Sequence, residues 1–147
     1  MTRQPPRPAW PLWYALPAMG ALPTAPRTAR AHVRDILHAW GLTPLQDDAT
    51  LVASELITNA VRQSHDTSGH PAYPGGRLPV IQLSLFSDHA RLLITVYDQA
   101  PGIPVQGNPG NDAQAGRGLA MIAALGHWDW HPAHGGKIVR ALLAATP

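Results

Sequence analysis

Glu55 and Asn59 stand four residues apart on a segment whose pattern predicts a helix, so they share a face, and Arg62 follows seven residues after Glu55. A carboxylate beside a carboxamide, with a cation a turn further, can hold a hydrated magnesium ion. Mg²⁺ takes one or two protein oxygens and completes its shell with water and phosphate. The same spacing also fits a solvated polar face carrying a Glu55–Arg62 contact. Asp98 ends an apolar stretch just ahead of Pro101-Gly102. A carboxylate there can accept a hydrogen bond from a ligand amine, or simply start a turn. Gly116-Arg117-Gly118-Leu119 opens a helix after a long loop. Glycines let backbone approach a phosphate, the helix N-terminus offers free N–H groups, and Arg117 adds charge. A plain loop-to-helix joint would read the same way.

These residues need elements to position them. Met1 to Pro8 reads as a disordered leader, followed by a single domain over 9–147. Trp10 to Leu16 suits an edge strand, because Pro11 is tolerated there and not in a central one. Thr24 caps a helix from Ala25 to about Trp40, in which Val33, Ile36, Leu37 and Trp40 form the buried stripe. Gly41 ends that helix. Thr43, Pro44 and Gln46 read as a capping box opening a second helix to about Ser64, with Leu45, Ala49, Val52 and Leu56 on its core stripe. Glu55 and Asn59 border that stripe.

His65 to Arg77 is loop. Ile81, Leu83 and Leu85 alternate with Gln82 and Ser84, the mark of a half-buried strand; Ser87-Asp88-His89 turns the chain into an apolar central strand, Arg91 to Tyr97. Asp98 to Ala115 has no periodicity, and loops of that length are usually functional. A short helix, Arg117 to Leu125, buries Leu119, Ile122 and Ala123 and stops at Gly126; Trp128–His131 and Lys137–Ala144 close the chain as a hairpin around Gly135-Gly136. The expected fold is α+β: a two-layer sandwich with helices on one face of a mixed, mainly antiparallel sheet.

Composition removes several function classes. The 147 residues include no cysteine, so there is no disulfide framework, redox pair or thiolate metal site. Net charge is +2, Lys137 is the only lysine, and apart from Arg27, Arg30 and Arg34 on one helix stripe the arginines are scattered. A nucleic-acid footprint needs a broader basic face. Arg3 and Arg7 precede an apolar stretch, Ala9 to Ala25, but Pro11, Pro17 and Pro23 interrupt it as a signal helix. No run reaches the roughly 18 apolar residues of a membrane span. The expectation is a soluble, cytoplasmic protein without nucleic-acid or membrane partners. Neither a Gly-x-Ser-x-Gly elbow nor a Walker lysine motif occurs. His127, His131 and His134 fall on a strand and hairpin, not on the single helix face that a zinc motif would use. The five tryptophans read as core and edge packing, with Trp10 and Trp13 alternatively a surface for a partner.

Taken in order, Glu55-Leu56-Ile57-Thr58-Asn59-Ala60, Asp98-Gln99-Ala100-Pro101-Gly102 and Gly116-Arg117-Gly118-Leu119 resemble the nucleotide-binding boxes of the superfamily of histidine kinases, gyrase, heat-shock chaperones and mismatch-repair ATPases. The chain looks most like its stand-alone bacterial branch, the anti-sigma-factor serine kinases, over roughly Trp10 to Leu143. The resemblance implies a Bergerat-type fold binding ATP and Mg²⁺. It implies that Glu55 is the general base, that Asn59 ligates Mg²⁺, and that Asp98 receives the adenine amino group with Gly102 letting the base lie close. Gly116, Arg117 and Gly118 would border the phosphates, with Arg62 and Leu119 completing the nucleotide-binding set, and the stretch between Gly102 and Gly116 would be a lid. No polar role passes to Ile103. Two positions depart from the family pattern: Ala100 replaces a glycine, and Ile138 stands where a threonine is usual near the adenine. The hydrogen bond lost at Ile138 would weaken ATP binding by about 1 kcal/mol.

Three functions follow. One is a serine/threonine protein kinase that phosphorylates a small antagonist protein, sequesters a sigma factor and pairs as a homodimer. Another is a non-catalytic module using the same fold to engage a transcription regulator. The third is a detached histidine-kinase catalytic domain, which would need its phosphoacceptor in trans.

Overall fold

The structure is a computed structural model that describes residues 10–65, 68, 70, 76–104 and 114–144. The expected leader over residues 1–8, most of the loop between His65 and Arg77, and residues 105–113 of the expected lid lie outside the described residues.

Alternation along the strands decides the layers. The elements run β1 (Leu12–Ala15), β2 (Met19–Gly20), α1 (Ala25–Ala39), a 3₁₀ turn (Thr43–Leu45), α2 (Gln46–Gln63), β3 (Val80–Ser87), β4 (Arg91–Asp98), α3 (Gln114–Leu125), β5 (His127–Ala133) and β6 (Gly136–Ala144). The sheet order is β1-β3-β4-β6-β5, with β2 pairing the other end of β3. Every pairing among the described strands is antiparallel, so the sheet is antiparallel throughout and not mixed. In register, Ile81, Leu83 and Leu85 of β3, Leu92, Ile94 and Val96 of β4, and Val139, Ala141 and Leu143 of β6 are buried on one face. The helices cover that face, giving the α+β two-layer sandwich.

Helix α1 buries Ala25, Ala29, Val33 and Leu37, with Ile36 and Trp40 packed partly against the core. Gly41, at φ +70°, ends it as expected. Thr24 forms no side-chain cap; instead its carbonyl accepts the Thr28 hydroxyl. The capping box also fails to form. Thr43-Pro44-Leu45 is a 3₁₀ turn, α2 starts only at Gln46, and Asp47 and Asp48 in its first turn meet the positive end of the helix dipole. The core stripe Leu45, Ala49, Val52 and Leu56 is buried as patterned.

Among the described residues, no helix covers the other face of the sheet. Cross-strand rows there run Trp13–Phe86–Leu93–Leu142–His127 and Ser84–Thr95–Arg140–Asp129. Trp13 is 67% exposed. Trp10 lies over the same face, 4.9 Å from the Arg91 guanidinium. Trp40, Trp128 and Trp130 pack against the core instead.

Candidate functional site

Helix α2 carries the first half of the site. Its apolar stripe fixes its roll on β3, β4 and β6, and that roll turns the next stripe, Glu55 and Asn59, toward α3. Glu55 is half-buried and Asn59 is buried. Asn59 Oδ1 is enclosed and, among the described residues, has no hydrogen-bond partner. Such an orphaned acceptor costs about 1–3 kcal/mol, which a donor or a cation would offset. A carboxamide oxygen is the hard donor that Mg²⁺ takes, so the residues present fit that ion. Arg62 is exposed in the last turn of α2, where a cation suits the negative end of the helix dipole.

Glu55 meets α3 at Gly118. A Cβ added at Gly118 would stand 2.6 Å from Glu55 Oε2, so the glycine is what lets the carboxylate seat against this helix. The helix begins at Gln114, three residues earlier than the glycines suggest, which places Gly116, Arg117 and Gly118 inside its opening turns rather than ahead of it. Leu119 is a core residue together with Ile122, so a ligand could reach only its backbone. Ala123, expected inside, is exposed.

Asp98 and Lys137 form the second half. Asp98 ends β4 on the helix-covered face, directly across from Lys137 on β6. Lys137 Nζ donates to Asp98 Oδ1 at 2.7 Å and to the Ala100 carbonyl at 3.1 Å, and the Ala100 N–H donates to the same Oδ1 at 2.9 Å. Both side chains are almost fully enclosed, at 3% and 1% exposure for Lys137 and Asp98. Burial raises the Asp98 pKa above the ordinary carboxyl value, and the Lys137 ammonium and the Ala100 N–H pull it only part of the way back. Two bonds converge on Oδ1, and Oδ2 takes part in neither. Gly136 closes this corner: a Cβ there would overlap the Asp98 carbonyl oxygen, so β6 begins in direct backbone contact with the end of β4. Gly102, with φ +119°, turns the chain out of the site in a conformation that favours glycine.

Residues 19–141 of the chain match the family of the histidine kinase-like ATPase domain. The chain belongs to the histidine kinase-like ATPase domain family. No curated protein matches it by sequence. The domain implies ATP binding, and the α+β sandwich is the fold expected of it. Within this ATPase domain, Glu55 and Gly118 meet at the α2–α3 seam, Asn59 lies one turn further along α2, and Asp98 ends β4. Among the described residues no helix is long and apolar enough to cross a membrane.

Sequence reasoning missed Lys137 and Gly136. The signal was there: Lys137 opens the alternation Lys137, Val139, Ala141, Leu143, so it faces the core side. Ile138 points to the opposite face, beside Tyr97 and His131, so the residue in front of Asp98 is Lys137 and not Ile138. His127 and His131 lie on that outer face too, flanking Asp129, whose carboxylate Arg140 holds with two bonds of 2.7 and 2.6 Å.

Proposed function

We infer that this ATPase domain binds Mg·ATP at the α2–α3 seam and the end of β4 and acts as a serine/threonine protein kinase. The observation that carries this reading is the enclosed Asn59 Oδ1, without a hydrogen-bond partner among the described residues and one turn along α2 from the half-buried Glu55. Asn59 would hold the magnesium ion, which screens phosphate charge when bound. Asp98 Oδ2 would accept the amino group of the base, and the N-terminal turns of α3 would face the phosphates with their free N–H groups. Glu55 would take the proton from a protein hydroxyl as that oxygen attacks the γ-phosphorus; the bond to the β–γ bridging oxygen breaks and ADP leaves with it. Gly118 leaves room for that carboxylate.

By family resemblance the acceptor is a small antagonist protein and the held partner a sigma factor, with homodimers expected. The enclosed Asp98–Lys137 pair favours a second reading, a non-catalytic module for a transcription regulator, because Lys137 already takes one of the two carboxylate oxygens meant for a nucleotide. Glu55→Ala separates the two. Phosphotransfer or ATP hydrolysis that disappears in the variant while calorimetric ATP binding persists establishes the kinase; wild type and variant that bind ATP and are equally inert establish the module.

A further inference from the structure

We propose that residues 1–9, the segment before Trp10, dock within their own chain on the open face of the sheet. That face lies on the side away from the helices and from Asp98. Among the described residues no helix covers its apolar row, Trp13–Phe86–Leu93–Leu142. Two hollows of about 260 Å³ each open on it, and Trp10, Leu93 and Arg140 line both. One extends to Leu142, the other to Phe86 and Ile138. Trp10 comes just before β1, at the edge of the sheet, yet it borders residues of β4 and β6 and stands 4.9 Å from the Arg91 guanidinium. The chain thus already meets the open face at Trp10, and residues 1–9 join it there.

The composition of that segment suits a face and not an edge. It carries Pro5, Pro6 and Pro8. Proline fixes its own φ and pushes the residue before it toward extended backbone, so Gln4 through Pro8 favour a polyproline II conformation. A segment restrained in this way gives up little entropy on docking. Its three missing N–H groups make it a poor added strand for β1 or β5, whereas aromatic-lined grooves take proline-rich segments through side-chain contact. Nine residues at ~3.1 Å each reach about 28 Å. The four strand spacings from β1 to β5 come to about 19 Å, so the segment is long enough to enter either hollow. Arg91 and Arg140 are each paired with an aspartate, Asp88 and Asp129, and so do not repel Arg3 and Arg7 as bare cations would.

The chain has no cysteine, so a nitroxide on Thr2→Cys marks the segment uniquely. Backbone amide signals of Leu93, Arg140 and Leu142 should broaden, while those of α1 and α2, on the other layer, keep their intensity. Labelled protein mixed with unlabelled, ¹⁵N-enriched protein should show no broadening, because the contact lies within one chain. Leu93→Gln, checked for folding by thermal melting, should lower the ratio of docked to free segment about tenfold, the scale of one apolar side chain lost from a contact. Pro5→Gly, Pro6→Gly and Pro8→Gly together should also weaken the broadening, since the restraint of proline is gone. Broadening in the mixed sample means that a second copy occupies the face, and it overturns the inference. Absent or unselective broadening does the same. So does broadening that survives either set of substitutions unchanged, which marks a segment merely tethered near the face. If Leu93→Gln does not fold, the proline variant decides alone.

Discussion

The Glu55 carboxylate and Gly118 occupy adjoining space across the α2–α3 seam, with Oε2 only 2.6 Å from where a Cβ of residue 118 would lie. Glu55 is the only glutamate in the chain. A methyl group at 118 would push on the free end of a side chain, not on backbone, so the carboxylate swings aside and the fold stays intact. Gly118→Ala should therefore leave the melting temperature within about 3 °C and ATP affinity within about threefold, while turnover falls by about 10- to 100-fold from the misplaced base. Calorimetry and a turnover assay on the same preparation check this.

Asn59 is expected to oppose stability and function. Its enclosed Oδ1 costs free energy in the unliganded protein, so Asn59→Ala removes that cost while opening a small void. The unliganded variant should melt within about 1 kcal/mol of wild type or above it. Magnesium should no longer strengthen its ATP binding. Melting curves with and without Mg·ATP give both answers. A variant that keeps the magnesium effect removes Asn59 from the ion's ligands.

Acid should weaken nucleotide binding earlier than an exposed carboxylate would allow. Burial holds the Asp98 pKa above its ordinary value, and acceptance of a base amine needs the ionised form. Affinity should fall as pH drops through that raised pKa, and the fall should move to still higher pH in Lys137→Met, where the counter-charge is gone. The contribution to folding has the opposite sense. Between the unfolded and folded pKa values the native state binds the extra proton, so this residue's contribution is fully present below the unfolded pKa and is lost as pH rises through the folded one. Binding isotherms over a pH series, with Asp98→Asn as the variant that cannot titrate, read the two effects separately.

The Arg140–Asp129 pair looks strong and should matter little. Its two bonds join β5 to β6 on the open face, and the Arg140 hydrogen bonds hold the Asp129 pKa below the ordinary carboxyl value. Both side chains are well exposed, at 40% and 57%. Arg140→Ala should cost less than about 1 kcal/mol in urea unfolding, and less still at high salt.

Periodicity exposed most of the fold because burial is one-sided. Ile81, Leu83 and Leu85 announce the core face of β3 without any long-range information, and Val33, Leu37, Val52 and Leu56 do the same for the helices. The Glu55–Asn59 face was legible for the same reason. The start of α3 was not: glycines discourage a helix locally, yet α3 begins before them because packing of Leu119 and Ile122 outweighs that propensity. Thr43 reads as a cap, but the chain spends its polar groups in a 3₁₀ turn first. β2 is two residues long and has no pattern to detect. The Asp98–Lys137 pair spans 39 residues of sequence, and only strand register reveals that the two face each other.

The backbone contact at Gly136 ties two kinds of failure together. Any other residue at 136 must push the Asp98 carbonyl and with it the carboxylate of the same residue. A mutational screen scored by abundance would file position 136 under folding, and one scored by ligand binding would file it under the pocket. Both would be right, because one backbone contact serves the packing of two strands and the placement of Asp98 alike.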